Sequence, residues 1–314
     1  MKKTILFLAA GALALAANAR ILRVNNASGS SAPYQTIGAA LEAAAEGDTI
    51  MLDASTQTYG SVDLNKRVVV LGPGYWLTEN GITEEGPGYA MIGSGVQNPT
   101  ITAEGVVIKG LTFYRGITIK AAKAVVNKCH FAGGIVLEGA DNCIIHQNIV
   151  SGDIRGDQNN KASYCQVTNN ILTDGINGFV DSYIAYNTMH IDNSVNWNLY
   201  TCRGCTVEHN WSTTDLKANE TAAAENNFSA NHVSEDYKEL LHSLNYGTDG
   251  VTDRDVANLE VDAQLRNTYG AFAGATPYVL SGVPAGPVVQ DLIVPASVER
   301  GSRLQVTIKV GMQQ

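Results

Sequence analysis

One short phrase recurs seven times between residues 106 and 229, and this repeat limits the possible folds more than any other feature of the sequence. Each copy carries an aliphatic anchor, and successive anchors are separated by 18, 19, 22, 17, 23 and 17 residues. The anchors are Ile108, Val126, Ile145, Val167, Ile184, Val207 and Ala224. Periods of this length are typical of solenoids, in which each repeat forms one coil that stacks on its neighbours.

The position three residues after the anchor is asparagine in five of the seven copies. Asparagine tolerates the left-handed backbone conformation of tight turns, and its amide can hydrogen bond to the backbone and to the next coil. We therefore predict a structural asparagine ladder at the turn between the first and second strands of each coil, with no role in ligand binding. The seven positions are Leu111, Cys129, Asn148, Asn170, Asn187, Asn210 and Asn227.

Two further sets of apolar residues recur in phase with the anchors and predict three short strands per coil. Side chains alternate between the two sides of a strand, so residues in phase share the inward side. Inward residues of a second strand lie five places beyond the anchor, at Phe113, Phe131, Val150, Leu172 and Met189. A third strand begins about nine places beyond it, near Ile117, Ile135, Ile154, Ile176, Ile191, Leu216 and Val233. This arrangement is that of a parallel β-helix.

The segment 34–52 predicts a helix that covers the first coil. Ile37, Ala40 and Leu41 fall on one helical stripe, Thr36 is a suitable N-cap, and Gly47 is suited to end the helix. An apolar strand, TIML, follows directly. A helix in this place would cover the core and the sheet edge that an open solenoid end exposes.

The runs YQTIGAALEAAAEGDTIML (34–52) and TYGSVDLNKRVVVLGPGYWL (58–77) resemble the capping helix and first coils of one superfamily. It is the right-handed parallel β-helix superfamily of pectin and pectate lyases, and the likeness is strongest to its secreted bacterial members without an assigned activity. YGAFAG (269–274) is similar to the closing segment of that group. The resemblance implies an all-β fold: a right-handed parallel β-helix with an N-terminal capping helix and a C-terminal β-hairpin.

The N-terminus predicts export. Residues 1–19 combine two lysines, an apolar run and an A-x-A site, as secretory signals do, and no later segment is apolar for long enough to span a membrane. We expect the β-helix with its cap over residues 20–270, and a closing segment with a β-hairpin over residues 271–314. The protein is predicted to be periplasmic or extracellular.

Charge and cysteine content narrow the classes of partner. Without Lys2 and Lys3, 19 basic residues stand against 30 acidic ones, a net charge of about −11 that makes nucleic acid an unsuitable partner. Such a surface still permits an anionic polysaccharide where a metal ion or a local basic patch intervenes. The five cysteines are interpreted as small buried apolar residues, with a local disulfide in the C-x-x-C of Cys202 and Cys205 as the alternative.

The outward side of the third strand carries the candidate site. In enzymes of the superfamily this strand forms the working face, and here its outward positions become charged in the later coils. The candidate catalytic residues are Asp153, Arg155, Asp192 and Asp215. The candidate substrate-binding residues are His190, Lys217, Trp197, Tyr200 and Asp157, of which the two aromatic residues would stack on sugar rings.

Several functions are compatible with this face. In a polysaccharide lyase, Asp153, Asp157 and Asp192 would hold Ca²⁺ while Arg155 or Lys217 removes the proton. In a glycoside hydrolase, Asp192 and Asp215 would act as the acid pair. The catalytic motifs of polygalacturonases and pectate lyases are absent, however, so no catalytic residue is carried over.

We therefore predict a protein that binds, and in the enzyme alternatives cleaves, a polysaccharide along this face. The alternative is a non-catalytic extracellular or envelope scaffold, or an adhesin-like rod, whose charged residues form a solvated surface.

Overall fold

The computed structural model describes residues 19–82, 88–94, 97–157, 159–191, 199, 201–216, 225–233, 252–259, 263–284, 287–293 and 307–312. Most of these residues form parallel strands that follow one another around a common core, one coil after the next. The longest of the three sheets, called the first sheet, has ten strands, and each pairs with the strand one coil away. Its strands are Ile21–Val24, Thr49–Leu52, Val69–Leu71, Val107–Lys109, Val125–Asn127, Ile144–His146, Gln166–Thr168, Tyr183–Ala185, Thr206–Glu208 and Asn227–Ser229.

Two further parallel sheets complete the coils. The second sheet has eight strands, and the third has six. The second-sheet strands are Met91–Ile92, Thr112–Phe113, His130–Phe131, Ile149–Val150, Ile171–Leu172, Thr188–Met189, Trp211–Ser212 and His232–Val233. The third-sheet strands are Asp63–Leu64, Thr100–Ile101, Ile117–Ile119, Ile135–Leu137, Ile154–Gly156 and Ile176–Asn177. The predicted parallel β-helix with three strands per coil is therefore confirmed.

The inward side chains form one continuous core. Ile108, Val126 and Ile145 pair in register on the first sheet, and each is fully buried. On the second sheet the rings of Phe113 and Phe131 stack with centroids 4.4 Å apart. Similar apolar side chains therefore stack from coil to coil in the interior. All five cysteines are free thiols and buried in this core, as the sequence predicts, so Cys202 and Cys205 do not form a disulfide here.

The predicted capping helix, α1, spans Ile37–Ala43. The Thr36 hydroxyl accepts a hydrogen bond from the amide of Ala39 at 3.2 Å, and Ile37 and Leu41 are buried against the first coil. The helix ends at Ala43, before Gly47, whose φ of +86° instead serves the turn into the next strand. The N-terminal end of the solenoid is thus covered.

The C-terminal part contains the helices α2, Asp253–Leu259, and α3, Ala263–Arg266. A single 3₁₀ turn spans Leu280–Gly282. The strands Pro287–Ile293 and Thr307–Met312 then form the predicted antiparallel hairpin. A short pair, Ala162–Ser163 with Phe179–Val180, forms a small sheet of its own. The sequence did not predict α2, because its polar composition hides the helical pattern.

A buried asparagine ladder connects the coils at the turn between the first and second sheets. Asn148, Asn170, Asn187 and Asn210 are fully buried. In each, the side-chain amide donates to the amide oxygen of the asparagine one coil further on, at 2.9 to 3.0 Å. The same oxygen also accepts from the backbone amide of the donor residue. The ladder therefore satisfies polar groups that burial would otherwise leave unpaired.

The left-handed residue of this turn is the one before the ladder asparagine, which corrects the sequence interpretation. The ladder residue uses its side chain, while its predecessor supplies the positive φ that reverses the chain. These predecessors have φ between +48° and +64° and are Gly110, Lys128, Gln147, Asn169, Tyr186, His209 and Ala230. At Gly110 a Cβ atom would lie 2.6 Å from Cγ of Pro284, so a larger residue would not fit.

The seventh copy of the repeat was placed wrongly. Phe228, and not Ala224, pairs with Val207 on the first sheet. Asn231, and not Asn227, accepts from the backbone and side-chain amides of Asn210, at 3.0 Å each. Val233, predicted to start a third strand, consequently lies in the second sheet, where it pairs with Ser212.

Residues 268–284, here called the strap, lie along the outer side of this turn column. Side chains at the left-handed positions donate to strap carbonyls: Lys128 to Val283, Gln147 to Thr276 and Pro277, and Asn169 to Ala271 and Ala273. His209 adds a ring-nitrogen contact of 3.1 Å to the Thr268 carbonyl. The strap is therefore hydrogen-bonded to successive coils. From residue 268 to residue 284 it runs from the late coils towards the early ones.

A second, smaller core lies beneath the strap. Tyr75, Trp76, Ile149, Ile171, Val256, Ala271 and Tyr278 pack together on the outward side of the second sheet. Asp253, at the start of α2, is fully buried there and accepts from the Asn80 side chain at 2.7 Å and the Tyr278 hydroxyl at 3.0 Å. Burial raises the pKa of this carboxyl group above its usual range.

Candidate functional site

The three sheets present outward sides of different character. On the first sheet, one outward column is aliphatic and half-exposed, namely Val69, Val107, Val125 and Ile144. The other outward column of that sheet is polar, with Lys109, Asn127, His146 and Thr168 in register. On the second sheet, the strap and the residues around Trp76 cover the outward side. The third sheet also carries polar residues on its outward side. Its outward register column is Asp63, Thr100, Thr118, Val136, Arg155 and Asn177.

Asp153 lies at the entry to this sheet, in line with Gly134 of the preceding coil. A Cβ atom on Gly134 would lie 2.5 Å from Oδ1 of Asp153 and 2.8 Å from its carbonyl oxygen. The backbone amide of Ile135 donates to that carbonyl at 2.9 Å, which fixes the coils at this close distance. Glycine at position 134 therefore leaves the space that the Asp153 carboxylate occupies.

Asp153 and Arg155 form an ion pair on the third sheet. Residues two apart on a strand share a side, and Nη1 of Arg155 lies 3.0 Å from Oδ2 of Asp153. The Arg155 side chain is 52% exposed and the Asp153 side chain 20%. The pair offers a cation and a carboxylate to a ligand at one place on the sheet.

Asp157 has a local structural role at the end of the same strand. Its Oδ1 atom accepts from the backbone amides of Asn159 and Asn160, at 2.9 and 3.1 Å. This is the hydrogen-bonding pattern by which aspartate closes a turn. One of its two carboxylate oxygens is therefore committed to the loop.

His190 and Asp215 do not continue the third sheet. His190 follows the second-sheet strand Thr188–Met189 directly and is only 8% exposed, which corrects the expectation of an outward ring. Asp215 is exposed beyond the strand Trp211–Ser212, and no third-sheet strand is assigned at its coil within residues 201–216. Asp192, Trp197, Tyr200 and Lys217 lie outside the described residues.

At the early end of the third sheet the structure shows a cleft that the sequence did not predict. Its volume is about 400 Å³. Ser61 and Gln97 join its two walls, because the serine hydroxyl donates to the Gln97 carbonyl at 2.6 Å. The cleft is lined by Ser61, Val62, Asp63, Gln97, Asn98, Thr100 and Thr118. The Gly-rich segment between Leu71 and Thr100 interrupts the repeat, which hid the alignment of Asp63 with the later coils.

The residues that the structure describes do not form a metal centre. Across the described ranges, no three His, Cys, Asp or Glu side chains come together in a way that would hold a metal ion. The predicted Ca²⁺ ligands Asp153 and Asp157 each have another hydrogen-bonding or ionic partner in this structure.

Comparison with known proteins finds distant structural likenesses. No protein-family model and no curated protein sequence matches the chain. Among solved structures, pectin methylesterase from Aspergillus niger aligns at 10% identity and a TM-score of 0.37, over 69% of this chain and 87% of its own. A rhamnogalacturonan lyase aligns at 12% identity and a TM-score of 0.32, over 68% of this chain and 62% of its own.

With TM-scores below 0.5, neither likeness bears on activity or substrate. The chain resembles pectin lyase-like parallel β-helices in its three sheets, its buried asparagine ladder and its capping helix. That resemblance is confirmed at the level of the fold.

Proposed function

We propose that this protein, a pectin lyase-like parallel β-helix, binds a glycan along the outward side of its third sheet. The observation that carries the proposal is the polar column from Asp63 to Asn177, which the strap leaves uncovered. Neighbouring strands lie about 4.8 Å apart, so six strands present a polar surface roughly 24 Å long. An extended polysaccharide chain suits a surface of that shape.

The geometry favours binding over cleavage. General acid–base catalysis needs a side chain within reach of the substrate that can donate or accept a proton. Arg155 is paired with Asp153, and one oxygen of Asp157 is held by its own loop. These three residues are therefore suited to contact sugar hydroxyls, while a lyase or hydrolase reaction would depend on Asp192, Asp215 or Lys217.

We also propose that the protein is exported, as its first 19 residues suggest. No helix among the described residues is long and apolar enough to cross a membrane. Cell fractionation of a tagged chain, with and without residues 2–19, tests this proposal. Equal distribution of the two chains would contradict it.

A scaffold function remains the second candidate, favoured by the continuous ten-stranded sheet and its buried ladder. These features stiffen the coils along one axis whether or not a ligand binds. A rod of this kind would present its surfaces without recognising a sugar, and the glycan experiment below separates the two functions.

The decisive experiment is a glycan array with the intact protein, followed by titration of the best ligand. We expect binding that Arg155→Ala weakens about tenfold, because a hydrogen bond to a charged group contributes roughly 1.5–3 kcal/mol. The matched control is Arg203→Ala, which removes an equally exposed arginine from its ion pair with Glu225 on another corner.

If both variants keep the affinity of the unmodified protein, the proposal that the glycan binds along the third sheet is contradicted. If no glycan on the array binds, the scaffold function is favoured over glycan binding. The same samples are assayed for unsaturated uronate, whose formation would show cleavage.

A further inference from the structure

The cleft at the early end of the third sheet is held open by the backbone. The amide of Thr100 donates to the carbonyl of Val62, and the amide of Thr118 donates to that of Pro99, both at 3.0 Å. The hydroxyl of Ser61 adds the cross-link to Gln97. A site that is formed before the ligand arrives spends little binding free energy on ordering its walls.

Asp63 lies at the centre of this cleft with one oxygen engaged and one open. Its Oδ1 atom accepts from the hydroxyls of Thr100 and Thr102, at 2.9 and 2.8 Å. Within the described part of the chain, Oδ2 has no hydrogen-bond partner. A carboxylate oxygen in that state is a strong acceptor for ligand hydroxyl groups.

The remaining polar groups complement a polyhydroxyl ligand. The hydroxyls of Ser61 and Thr100 donate to protein acceptors, so their lone pairs face the ligand as acceptors. The amides of Gln97 and Asn98 are exposed and can both donate and accept. Sugar hydroxyls also donate and accept, so each group of the cleft has a counterpart on a sugar.

The charge of the cleft distinguishes between sugars. Of its seven lining residues only Asp63 is charged. A uronate would bring its own carboxylate against this one, without a lining cation to offset the repulsion. Like charges in contact repel, and although solvent screens part of this repulsion at the exposed Asp63, a neutral ring is favoured over a uronate here.

Tyr114 adds an aromatic surface at the rim. Its side chain is 50% exposed, and it lies beside Gly93, where a Cβ atom would come within 3.6 Å of the tyrosine Cβ and 3.8 Å of Pro99. Pro99 directly follows the lining residue Asn98. A ring in this place can stack on the apolar side of a sugar next to the cleft.

From these observations we infer that the cleft around Asp63 is a subsite for a neutral, hydroxyl-rich sugar residue and discriminates against uronates. The inference rests on the proposed glycan binding and deepens it. It assigns the neutral sugar to the early end of the third sheet, about four strands away from the Asp153–Arg155 pair.

The test compares two ligands of equal length, a galactose oligomer and a galacturonate oligomer, by isothermal titration calorimetry. The two oligomers are chosen with the same glycosidic linkage and anomeric configuration, so that they differ only in the carboxylate at C6. We expect the intact protein to bind the neutral oligomer at least tenfold more tightly, as the like-charge cost requires. Asp63→Asn should weaken neutral binding about tenfold and narrow the difference between the ligands, because the charge is lost while shape is kept.

The tyrosines provide a matched pair of variants. Tyr114→Ala should weaken binding of the neutral oligomer about three- to tenfold through the loss of stacking. Tyr164→Ala removes a tyrosine of similar exposure, 62%, from a different turn and should leave binding unchanged. Thermal unfolding of each variant shows that the coils remain folded.

The outcomes separate this inference from the proposed function. If the oligomers bind and Arg155→Ala weakens them, but Asp63→Asn leaves the neutral-to-acidic ratio unchanged, the cleft inference is overturned and glycan binding stands. Preference of the intact protein for the galacturonate oligomer overturns it as well. If neither oligomer binds although the array identifies another ligand, the cleft inference is overturned and glycan binding stands. If the array identifies no ligand either, both proposals fail.

Discussion

The side-chain amide of Asn148 donates to the amide oxygen of Asn170 at 2.9 Å, and both residues are fully buried. The oxygen of Asn170 also accepts from the Asn148 backbone amide, at 2.9 Å. One acceptor thus satisfies two buried donors of the neighbouring coil. The coils are therefore held at a fixed register by side chains as well as by strand pairing.

Replacement of Asn170 by alanine should destabilise the protein by about 2–4 kcal/mol, because two donors of Asn148 then lose their acceptor inside the core. Equilibrium unfolding in urea measures the change. Asn98→Ala, at an exposed position, serves as the control and should alter stability by less than about 0.5 kcal/mol. A small effect at position 170 would mean that water replaces the lost acceptor.

The corrected register of the last coil gives a second prediction. Asn231→Ala should cost about 2–3 kcal/mol, because the backbone and side-chain amides of Asn210 both depend on its oxygen. Asn227→Ala, four residues earlier on an exposed position, should be nearly neutral. The reverse order of effects in urea unfolding would restore the register with Asn227 in the ladder.

The sequence predicts the ladder wherever the repeat is continuous. In the last coil the prediction is wrong, because two alignments of the repeat match the sequence about equally well. Asn227 and Asn231 are both asparagines near an aliphatic residue, so the asparagine alone does not choose between them. Phe228 is the inward residue that decides. Its aromatic side chain departs from the small aliphatic anchors of the earlier coils, which is why the pattern favoured Ala224.

The left-handed positions of the turn could not be recognised in the sequence, because they share no residue type. Their side chains point away from the core and towards the strap or solvent, so no single residue type is selected. Lys128, Gln147 and Tyr186 share a positive φ but no chemistry. The strap itself could not be predicted, because what it binds is a row of unlike side chains separated from it by 59 to 155 residues.

Loss of one fastening should loosen the strap without unfolding the coils. Asn169→Asp places a carboxylate against the carbonyl oxygens of Ala271 and Ala273, where an amide now donates at 2.9 and 2.8 Å. We expect amide hydrogen exchange in residues 268–284 to accelerate about tenfold, which corresponds to roughly 1.4 kcal/mol of local stability.

The control for this experiment is Asn142→Asp. Asn142 is also left-handed, with a φ of +57°, but it lies on another turn and is exposed. Protection of the strap should be unchanged in this variant. Unchanged protection in Asn169→Asp as well would show that the Asn169 hydrogen bonds do not hold the strap in place.

His130 should make the protein sensitive to acid. Burial against the rings of Tyr75 and Trp76 lowers the pKa of His130 from 6.5 to about 4. The folded state therefore favours the neutral ring, and its contribution to stability is complete above pH 6.5 and is lost as pH falls from 6.5 towards 4.

Comparison of His130→Gln with the unmodified protein measures this contribution. We expect the free energy of unfolding to fall more steeply between pH 7 and pH 4.5 in the unmodified chain than in the variant. Parallel pH profiles would show that His130 does not contribute. Asp253 acts in the opposite sense, because its pKa is raised by burial and its contribution is lost as pH rises.

Part of the candidate site could be predicted from the positions of residues relative to the anchor of each repeat copy. Asp153 and Arg155 stand two residues apart in a copy with a clear anchor, so their common side follows from the period of a strand. His190 directly follows the second-sheet strand Thr188–Met189 and is nearly buried, which the phase of the repeat did not indicate. The Asp63 cleft depends on pairing between segments with no recognisable repeat, and only the folded chain reveals it.

The strap also determines the order in which the protein can be completed. Stacked coils form from neighbouring segments, but Lys128 binds Val283 and Tyr75 meets Tyr278 across 155 and 203 residues of chain. Contacts that close such long loops form late, and the strap is synthesised after every coil it fastens. We therefore expect the coils to be held by their ladder and core alone until the strap closes over them.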